Sequence, residues 1–302
     1  MTAFEIGLVL MTGQTGPERT TQRWSDIRSA ALAAEAMGFD IVWAIDELLW
    51  RPKEGTQQGF WEGVAMAGAL ATVTSRIKLG SWVFSALHRN PGITAKAAET
   101  LDEISGGRFV FGLGAGHAGP GQAKAFGLPE EQIFGRFEEA LEIIVPLLRQ
   151  GHAEFEGKWH AARDLDQLPQ GPRPGHIPLM LGVLGPKGQR LAAKHADIWS
   201  CYATERSDLV ELGPRIASLE AACAEVGRDP ATIGRSAGVE VRPLESKPDA
   251  TGESISGSAA QIADALLAIR DAGYTQAELM VSPFKMAAID ALGPVLELVK
   301  AG

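Results

Sequence analysis

Residues 77–116 read IKLGSWVFSALHRNPGITAKAAETLDEISGGRFVFGLGAG and contain one complete strand–helix–strand unit. The apolar run 77–84 predicts a strand, and Asn90-Pro91 is the N-cap and first-residue pair that begins many helices. Gly106-Gly107 ends this helix, and a second apolar run over 108–112 follows as the next strand. The apolar residues that recur at helical spacing, and so predict the buried side of the helix, are Ala97, Leu101 and Ile104.

The same unit recurs along the chain. Apolar runs predict strands over 6–10, 41–44, 77–84, 108–112, 179–182, 196–200, 233–241 and 276–281. Helical patterns separate them over 23–37, 61–72, 90–105, 137–148, 185–195, 208–226, 258–269 and 286–300. Eight strand–helix repeats in a chain of 302 residues predict an α/β protein with a (β/α)8, or TIM, barrel. A doubly wound sheet is the alternative, but no linker is evident, so we expect a single domain over 1–302.

One connection is much longer than the roughly 2–6 residues usual in such folds. Residues 151–178 contain EFEGKW (154–159), which predicts a hairpin around Glu156-Gly157, and then a tail rich in proline and glycine. We expect this segment to be an insertion over the mouth of the barrel, where the strands end, and to act as a lid. A solvated loop is the alternative, both here and for the polar segment 242–257.

Composition limits the classes of function. With 45% apolar and 22% charged residues the chain is an ordinary globular protein, and its net charge of −9 argues against nucleic-acid binding. The two cysteines, Cys201 and Cys223, form no Cys-x-x-Cys pair, and no apolar run approaches the ~20 residues that span a bilayer. We therefore expect a cytoplasmic protein with reduced thiols, no membrane association and no metal site.

Two glycine-rich segments follow predicted strands. Gly114, Gly116 and Gly119 formally satisfy the G-x-G-x-x-G pattern of dinucleotide-binding folds, but no strand ends in an acidic residue about 20 positions later. Clustered glycines still let backbone N–H groups approach an anionic or flat ligand. The segment 182–185 leads into a helix, whose N-terminus is a ready phosphate site. We expect a side chain at Gly116 or Gly185 to weaken ligand binding more than folding.

Blocks of sequence along nearly the whole chain resemble the luciferase-like flavin and deazaflavin oxidoreductases. These blocks are GFDIVWAIDE (38–47), RNP (89–91), LDEISGGR (101–108), GLGAG (112–116), RFEEALEII (136–144), EFEG (154–157), RLAAKHAD (190–197) and GSAAQI (257–262) with DAG (271–273). The resemblance implies a hydride-transferring enzyme that uses the deazaflavin coenzyme F420. An FMN-dependent monooxygenase or reductase of the same fold is one alternative, and a non-catalytic flavin-binding barrel is another.

The resemblance also implies a cofactor site at the barrel mouth. It implies a non-prolyl cis peptide at Trp82–Val83, with Ser85 just beyond it. The residues expected to contact the cofactor are Asp46, Trp82, Val83, Ser85, Gly114, Gly116, His117, Gly182, Val183, Leu184 and Gly185.

Acid–base chemistry needs a side chain that can exchange a proton at the site. The candidates at predicted strand ends are Glu47, His88 and His117. The resemblance implies that family members acting on sugar phosphates have a histidine where this chain has Glu47 and a carboxylate where it has His117, so the acid and the base have exchanged places or the chemistry differs. Several tryptophans at strand ends predict a flat or apolar small-molecule substrate, and we expect a homodimer.

Overall fold

The computed structural model describes residues 4–15, 20–51, 57–116 and 121–302. The chain divides into two compact units, the first made of Met1–Met11, Trp24–Trp43 and Val183–Gly302 and the second of Thr12–Arg23 and Ala44–Gly182. The main strands are β1 Glu5–Leu10, β2 Ile41–Ala44, β3 Lys78–Ser81, β4 Phe109–Gly114, β5 Leu179–Gly182, β6 Ile198–Tyr202, β7 Gly234–Arg242 and β8 Gln276–Val281. The helices are α1 Trp24–Met37, α2 Gly63–Val73, α3 Pro91–Ser105, α4 Gln122–Phe126, α5 Ile133–Gln150, α6 Pro186–His195, α7 Leu209–Val226, α8 Ala259–Asp271, α9 Met286–Asp290 and α10 Gly293–Ala301.

Short elements complete the described chain. Two-residue strands lie at Gln14–Thr15, Thr20–Thr21, Leu49–Trp50, Gln58–Gly59, Phe84–Ser85 and Ile255–Ser256, and a 3₁₀ turn at Pro230–Thr232. A hairpin is formed by His152–Glu156 and Ala161–Asp166, as predicted. No helix in the described part of the chain is long and apolar enough to cross a membrane.

In the first unit the parallel strands lie in the order β6-β7-β8-β1-β2. The first and last strands of the chain are neighbours, with Ile6 of β1 opposite Ala277 of β8. This pairing is that of a closed barrel, because in a doubly wound sheet these two strands are not adjacent. The core of this unit is apolar and includes fully buried Leu8, Val239 and Leu279.

In the second unit β3, β4 and β5 are neighbours in chain order, with Leu79 opposite Phe109 and Leu113 opposite Leu181. The short strand Phe84–Ser85 also pairs with β4. Strands that follow one another in sequence, each with a helix after it, form the predicted (β/α)8 architecture. The fold prediction is confirmed, and the doubly wound alternative is wrong. The expectation of a single domain stays a prediction.

The predicted buried side of helix α3 is wrong at Ile104. The cap is as predicted, since the Asn90 side chain accepts from the N–H of Gly92, but Ile104 is 46% exposed. Polar residues of α3 are buried instead, because the chain after the hairpin covers them: Arg173 forms an ion pair with Asp102, whose side chain has no exposed surface. Apolar spacing alone could not show this second covered side.

The insertion 151–178 packs against α3 and α5. The backbone N–H groups of its turn donate to Glu139 near the start of α5, and its tail returns along α3, where Gln167 donates to the carbonyl of Ala95. The turn therefore lies at the end of this unit where β4 ends, which is the C-terminal end of the strands. A lid function for the insertion stays a prediction.

Two other boundaries differ from the predictions. The last helical pattern is two helices, since Pro294 lies at the start of α10 and its ring cannot occupy a helix interior. Strand β6 begins at Ile198, two residues later than predicted. The capping box before α8 is present, with the side chains and backbones of Ser258 and Gln261 bonded reciprocally, as predicted.

Candidate functional site

The second unit brings together several predicted residues from distant parts of the sequence. They lie at or just after the C-terminal ends of β2, β3, β4 and β5, where catalytic groups stand in parallel barrels. The residues brought together are Asp46, Val83, Ser85, Gly114, Gly116 and Gly182.

The peptide bond Trp82–Val83 is cis, as predicted. The Val83 side chain lies against two strand-end glycines: a Cβ on Gly114 would come within 2.8 Å of Val83 Cγ2, and a Cβ on Gly182 within 3.0 Å. These glycines are therefore needed to accommodate Val83, whatever they do for a ligand. Trp82 and Val83 are half-buried, so both retain surface that a ligand can contact.

Asp46 is the centre of a buried polar network. Its carboxylate accepts the N–H of Ser85 at 2.9 Å and a bidentate pair of bonds from Arg89 at 2.7 and 2.8 Å. His88 Nδ1 lies 3.2 Å from Asp46 Oδ2, and Arg89 also donates to Glu62. The Asp46 side chain has no exposed surface, and its contact with a cofactor stays a prediction. Asp46 holds the backbone at Ser85.

Attraction to charged partners affects the pKa values of Asp46 and Arg89 more than burial does. Burial alone would raise the pKa of Asp46, but hydrogen bonds and charge from Arg89 and His88 hold it below its ordinary value. Burial would likewise lower the pKa of Arg89, and its bonds to Asp46 and Glu62 raise it. Both groups are therefore charged throughout the pH range in which proteins work.

Substituting Asp46 by asparagine is expected to lower the free energy of unfolding by about 3 kcal/mol, since it leaves the Arg89 charge without its main buried partner. Chemical denaturation measures this. The matched control is Glu62→Gln, which removes a 44% exposed partner of the same arginine and is expected to cost less than about 1 kcal/mol. Equal losses in the two variants would contradict the central place given to Asp46.

Gln122 fixes the orientation of His88. Its side-chain oxygen accepts the N–H groups of Leu48 at 2.9 Å and Leu49 at 2.8 Å, so its amide nitrogen must face His88, whose Nε2 lies 3.3 Å away. An amide nitrogen only donates, so Nε2 accepts and the imidazole proton is on Nδ1, towards Asp46. The His88 side chain is 5% exposed with both nitrogens facing protein groups, and its role in proton transfer stays a prediction.

We expect ¹⁵N NMR of ring-labelled protein, recorded where the His88 ring is neutral, to show the Nδ1–H tautomer, with its signal assigned through His88→Asn. Gln122→Leu removes the donor to Nε2 and should give a mixture of tautomers. It also leaves two backbone N–H groups without an acceptor, at about 1–3 kcal/mol each. A predominant Nε2–H tautomer in the unsubstituted protein would contradict the network.

Glu47 lies between Asp46 and the backbone of Leu48 and Leu49, whose N–H groups donate to Gln122. Its side chain is half-buried, so it keeps surface at the strand ends. The third acid–base candidate, His117, lies outside the described residues. In the described part of the chain, Glu47 is the acid–base candidate that keeps solvent-facing surface.

The first unit has a candidate binding segment of its own at the start of α6. Gly185 is its N-cap with φ −84°, and no side chain caps the helix there. No heavy atom lies within 4 Å of where a Cβ on Gly185 would be, and Leu184 beside it is 37% exposed. Val183 is held by backbone and indole bonds to Ser200 and Trp199. The segment therefore presents open N–H groups on a fixed support, which fits an anionic ligand.

Gly116 and Gly185 are expected to respond differently to a side chain, which corrects the joint expectation for them. Gly116 has φ +80°, and its Cβ would lie 2.3 Å from Ser85 Oγ, so Gly116→Ala should lower the free energy of unfolding by about 1–3 kcal/mol. Gly185→Val should change it by less than about 0.5 kcal/mol and weaken cofactor binding. Denaturation and fluorescence titration separate the two effects. Unchanged affinity in Gly185→Val would remove this segment from the cofactor site.

Two residues of the network carry no role in the sequence-based prediction. Arg89 stands next to the Asn90-Pro91 cap and is indistinguishable from a surface arginine in sequence, and Gln122 lies in a glycine-rich stretch that predicts a loop. Among the tryptophans, Trp43 and Trp199 are fully buried, whereas Trp50 is 46% exposed.

Comparison with known proteins identifies the family. A sequence model described as luciferase-like monooxygenase matches residues 4–252. The chain is 32% identical over 236 residues to the F420-dependent hydroxymycolic acid dehydrogenase of Mycobacterium tuberculosis, covering 77% of this chain and 61% of that protein. It is 35% identical over 167 residues to 5,10-methylenetetrahydromethanopterin reductase of Archaeoglobus fulgidus, covering 54% and 45%. The pyrimidine monooxygenase RutA of Agrobacterium fabrum is 30% identical over 212 residues, covering 67% and 56%. The matches thus span less than two thirds of these relatives.

Solved structures agree on the fold. An F420-dependent secondary alcohol dehydrogenase in complex with an F420-acetone adduct superposes with a TM-score of 0.79 at 20% identity, over 98% of this chain and 99% of that one. A riboflavin lyase with modified FMN and riboflavin superposes with a TM-score of 0.81 at 15% identity, over 99% and 92%. With the sequence match over residues 4–252, these findings show that the chain belongs to the luciferase-like monooxygenase family.

Proposed function

We propose that the protein is an oxidoreductase that transfers a hydride between the deazaflavin coenzyme F420 and a small organic substrate. The observation that carries the proposal is the open N-terminus of α6 at Gly185, which has the N–H donors and the space that a cofactor phosphate requires. Support for F420 rather than another cofactor comes from the F420-dependent relatives. The bound cofactor would supply the hydride chemistry.

The chain's own residues are assigned three tasks. The segment 182–185, with Val183 and Leu184 beside Gly185, anchors the phosphate. Trp82, Val83 and Ser85 contact the ring, with Ser85 held in place by Asp46. Glu47 exchanges a proton with the substrate.

An FMN-dependent monooxygenase or reductase is the second candidate. It is favoured by the pyrimidine monooxygenase relatives and by the structural likeness to an FMN-containing lyase. The α6 site does not distinguish the two cofactors, because either one would bring an anionic phosphate to the same N–H groups.

Titration of the cofactor-free protein with coenzyme F420 and with FMN, each followed by fluorescence, tests the proposal. We expect F420 to bind at least about tenfold more tightly, a free-energy difference of about 1.4 kcal/mol. Tighter binding of FMN, with oxygen consumption on reduction, would replace the proposal by the second candidate. Binding of either cofactor without turnover of any alcohol, aldehyde or unsaturated substrate would support a flavin carrier.

We also propose a flat or apolar substrate. In the first unit, exposed apolar or aromatic side chains lie at or just after strand ends: Leu184 follows β5, Tyr202 ends β6 and Leu209 begins α7, each 37–46% exposed. Such surface suits a hydrophobic ligand. The homodimer and the cytoplasmic location stay proposals, to be checked by light scattering and by cell fractionation.

A further inference from the structure

A depression of about 300 Å³ lies in the second unit, at the C-terminal end of its strands. It is lined by residues 86–90, Pro129, Arg136 and His160. His88 and Arg89 reach it from the Asp46 network, but Arg136 and His160 belong to α5 and to the turn of the insertion and have no part in that network. Its volume is at the lower end of the range for small-molecule sites.

The turn that carries His160 is fixed to α5. The Glu139 carboxylate accepts the backbone N–H groups of Lys158, Trp159 and His160 at 2.8, 2.8 and 3.0 Å. The Trp159 ring packs on Gly135, where a Cβ would lie 2.9 Å from the indole. His160 is therefore held in one place by α5, as a binding side chain must be.

Several donors at the depression have no acceptor within the described part of the chain. The Arg136 guanidinium donates from Nε to the carbonyl of Glu131 at 3.3 Å and lies 5.5 Å from the Trp159 ring, and its two terminal nitrogens have no further bond. The His160 ring has no hydrogen-bond partner. Asn90 uses its side-chain oxygen to cap α3, which leaves its amide nitrogen without one. All of these groups donate, so they suit an acceptor.

The charges around the depression favour an anion. The N-terminal turns of two helices, which carry partial positive charge, contribute to it: α3 through its N-cap Asn90 and α5 through Arg136. The nearby carboxylate of Glu139 is occupied by three N–H groups, and that of Glu62 by Arg89 and by the N–H of Ala65. Arg136 also lies beside the depression, and it forms no ion pair with a carboxylate in the described part of the chain.

We propose that this depression binds a small oxyanion, a carboxylate or a phosphate, between the fork of Arg136 and the ring of His160. A guanidinium presents parallel N–H groups that match either kind of oxyanion, and the imidazole adds a second donor. The site does not require the proposed cofactor. It can therefore be tested on the cofactor-free chain, and the result does not depend on whether the proposed function is correct.

Binding couples to protonation of His160. Burial and the charge of Arg136 lower the pKa of His160, against the opposing effect of Glu139, so the ring is neutral at pH 7 in the ligand-free protein. The other charged or titratable groups around it are Arg89 and His88 across the depression and Lys158 on its own turn. A bound anion favours the imidazolium form, so affinity rises as pH falls.

Calorimetric titration with inorganic phosphate and with glutarate, and with the neutral diamide of glutarate as a blank, tests the proposal. We expect at least one anion to bind about fivefold more tightly at pH 6 than at pH 8, because a one-unit rise in the pKa of His160 on binding has its full tenfold effect only below both pKa values. Which anion binds distinguishes a phosphate from a carboxylate ligand.

Arg136→Gln and His160→Gln localise the binding. We expect Arg136→Gln to lower affinity at least about tenfold and His160→Gln to abolish its pH dependence. Arg163→Gln, an exposed arginine on the same hairpin paired with Glu156, is the matched control and should leave affinity unchanged. Two results would overturn the proposal: no binding of either anion at concentrations up to roughly 50 mM, where any remaining interaction is very weak, or an equal loss of affinity in Arg163→Gln. Circular dichroism checks that each variant is folded.

Discussion

Replacing Glu47 by glutamine is expected to lower the turnover number by about 10²–10⁴-fold, the usual effect of losing a general acid or base, and to leave cofactor affinity unchanged. The structure favours Glu47 because its side chain keeps exposed surface at the strand ends, which the side chains of Asp46 and His88 largely lack. Asp46 has no exposed surface, and His88 faces Asp46 with one nitrogen and Gln122 with the other. Glu47 keeps a half-buried side chain on a backbone that Gln122 holds in place.

Steady-state kinetics with coenzyme F420 and a verified substrate measure the effect, and fluorescence titration measures cofactor affinity. A proton-transfer role lowers turnover and alters the pH–rate profile, whereas a purely structural role would weaken folding or cofactor binding. Glu47→Asp, which keeps the acid at a shorter reach, should recover part of the lost turnover. Normal turnover in Glu47→Gln would assign the proton transfer to another group, and His117 would be the next residue to substitute.

The fold was predictable because its signals are local and repeated. Each strand is a short apolar run, and caps such as Asn90-Pro91 and Ser258 with Gln261 mark the helix starts. The order β8-β1 then follows from closing eight parallel strands. The features that the sequence did not predict depend on distant residues: Asp102 of α3 is buried and paired with Arg173, 71 positions later.

The backbone features of the candidate site were predictable, whereas the roles of its side chains stay predictions. Strand-end glycines and the cis peptide at Trp82–Val83 lie where they were expected. The burial of Asp46 depends on Arg89, 43 positions away, and the tautomer of His88 depends on Gln122, 34 positions away. A sequence shows which side chains carry chemistry, whereas burial and hydrogen-bond partners decide which of them a ligand can reach.

A second acidic residue, Glu278 on β8, lies inside the first unit and belongs to no predicted site. Its side chain is fully buried and accepts the hydroxyl of Ser236 at 3.0 Å. The Oε2 atom has no hydrogen-bond partner in the described chain, and neither has the indole nitrogen of Trp43. Both lie over Gly7, where a Cβ would be 2.0 Å from Oε2 and 2.4 Å from the indole nitrogen. A carboxylate placed here has little to replace its hydration.

Burial raises the pKa of Glu278 to about 8, with added repulsion from Glu5 and Asp40, and the hydrogen bond from Ser236 and the nearby indole N–H of Trp43 only partly oppose it. The folded protein therefore holds a proton that the unfolded chain releases near its ordinary pKa of about 4.3. Between these two values the folded state binds more protons, so stability falls as pH rises. The unfolded chain can ionise Glu278 over this interval and the folded protein cannot. At about 1.4 kcal/mol per pH unit, the free energy of unfolding is therefore lower by about 5 kcal/mol at pH 8.

Glu278→Gln is therefore expected to remove a loss of about 4 kcal/mol in the free energy of unfolding between pH 4.5 and pH 8, because glutamine resembles the protonated acid and cannot ionise. Chemical denaturation across this range measures the effect: the free energy of unfolding of the variant should rise relative to that of the unsubstituted protein as the pH increases. Glu297→Gln, an exposed glutamate on α10, is the matched control and should follow the unsubstituted profile. Parallel pH profiles for Glu278→Gln and the unsubstituted protein would show that Glu278 is already ionised in the folded state, with water or Trp43 satisfying its charge.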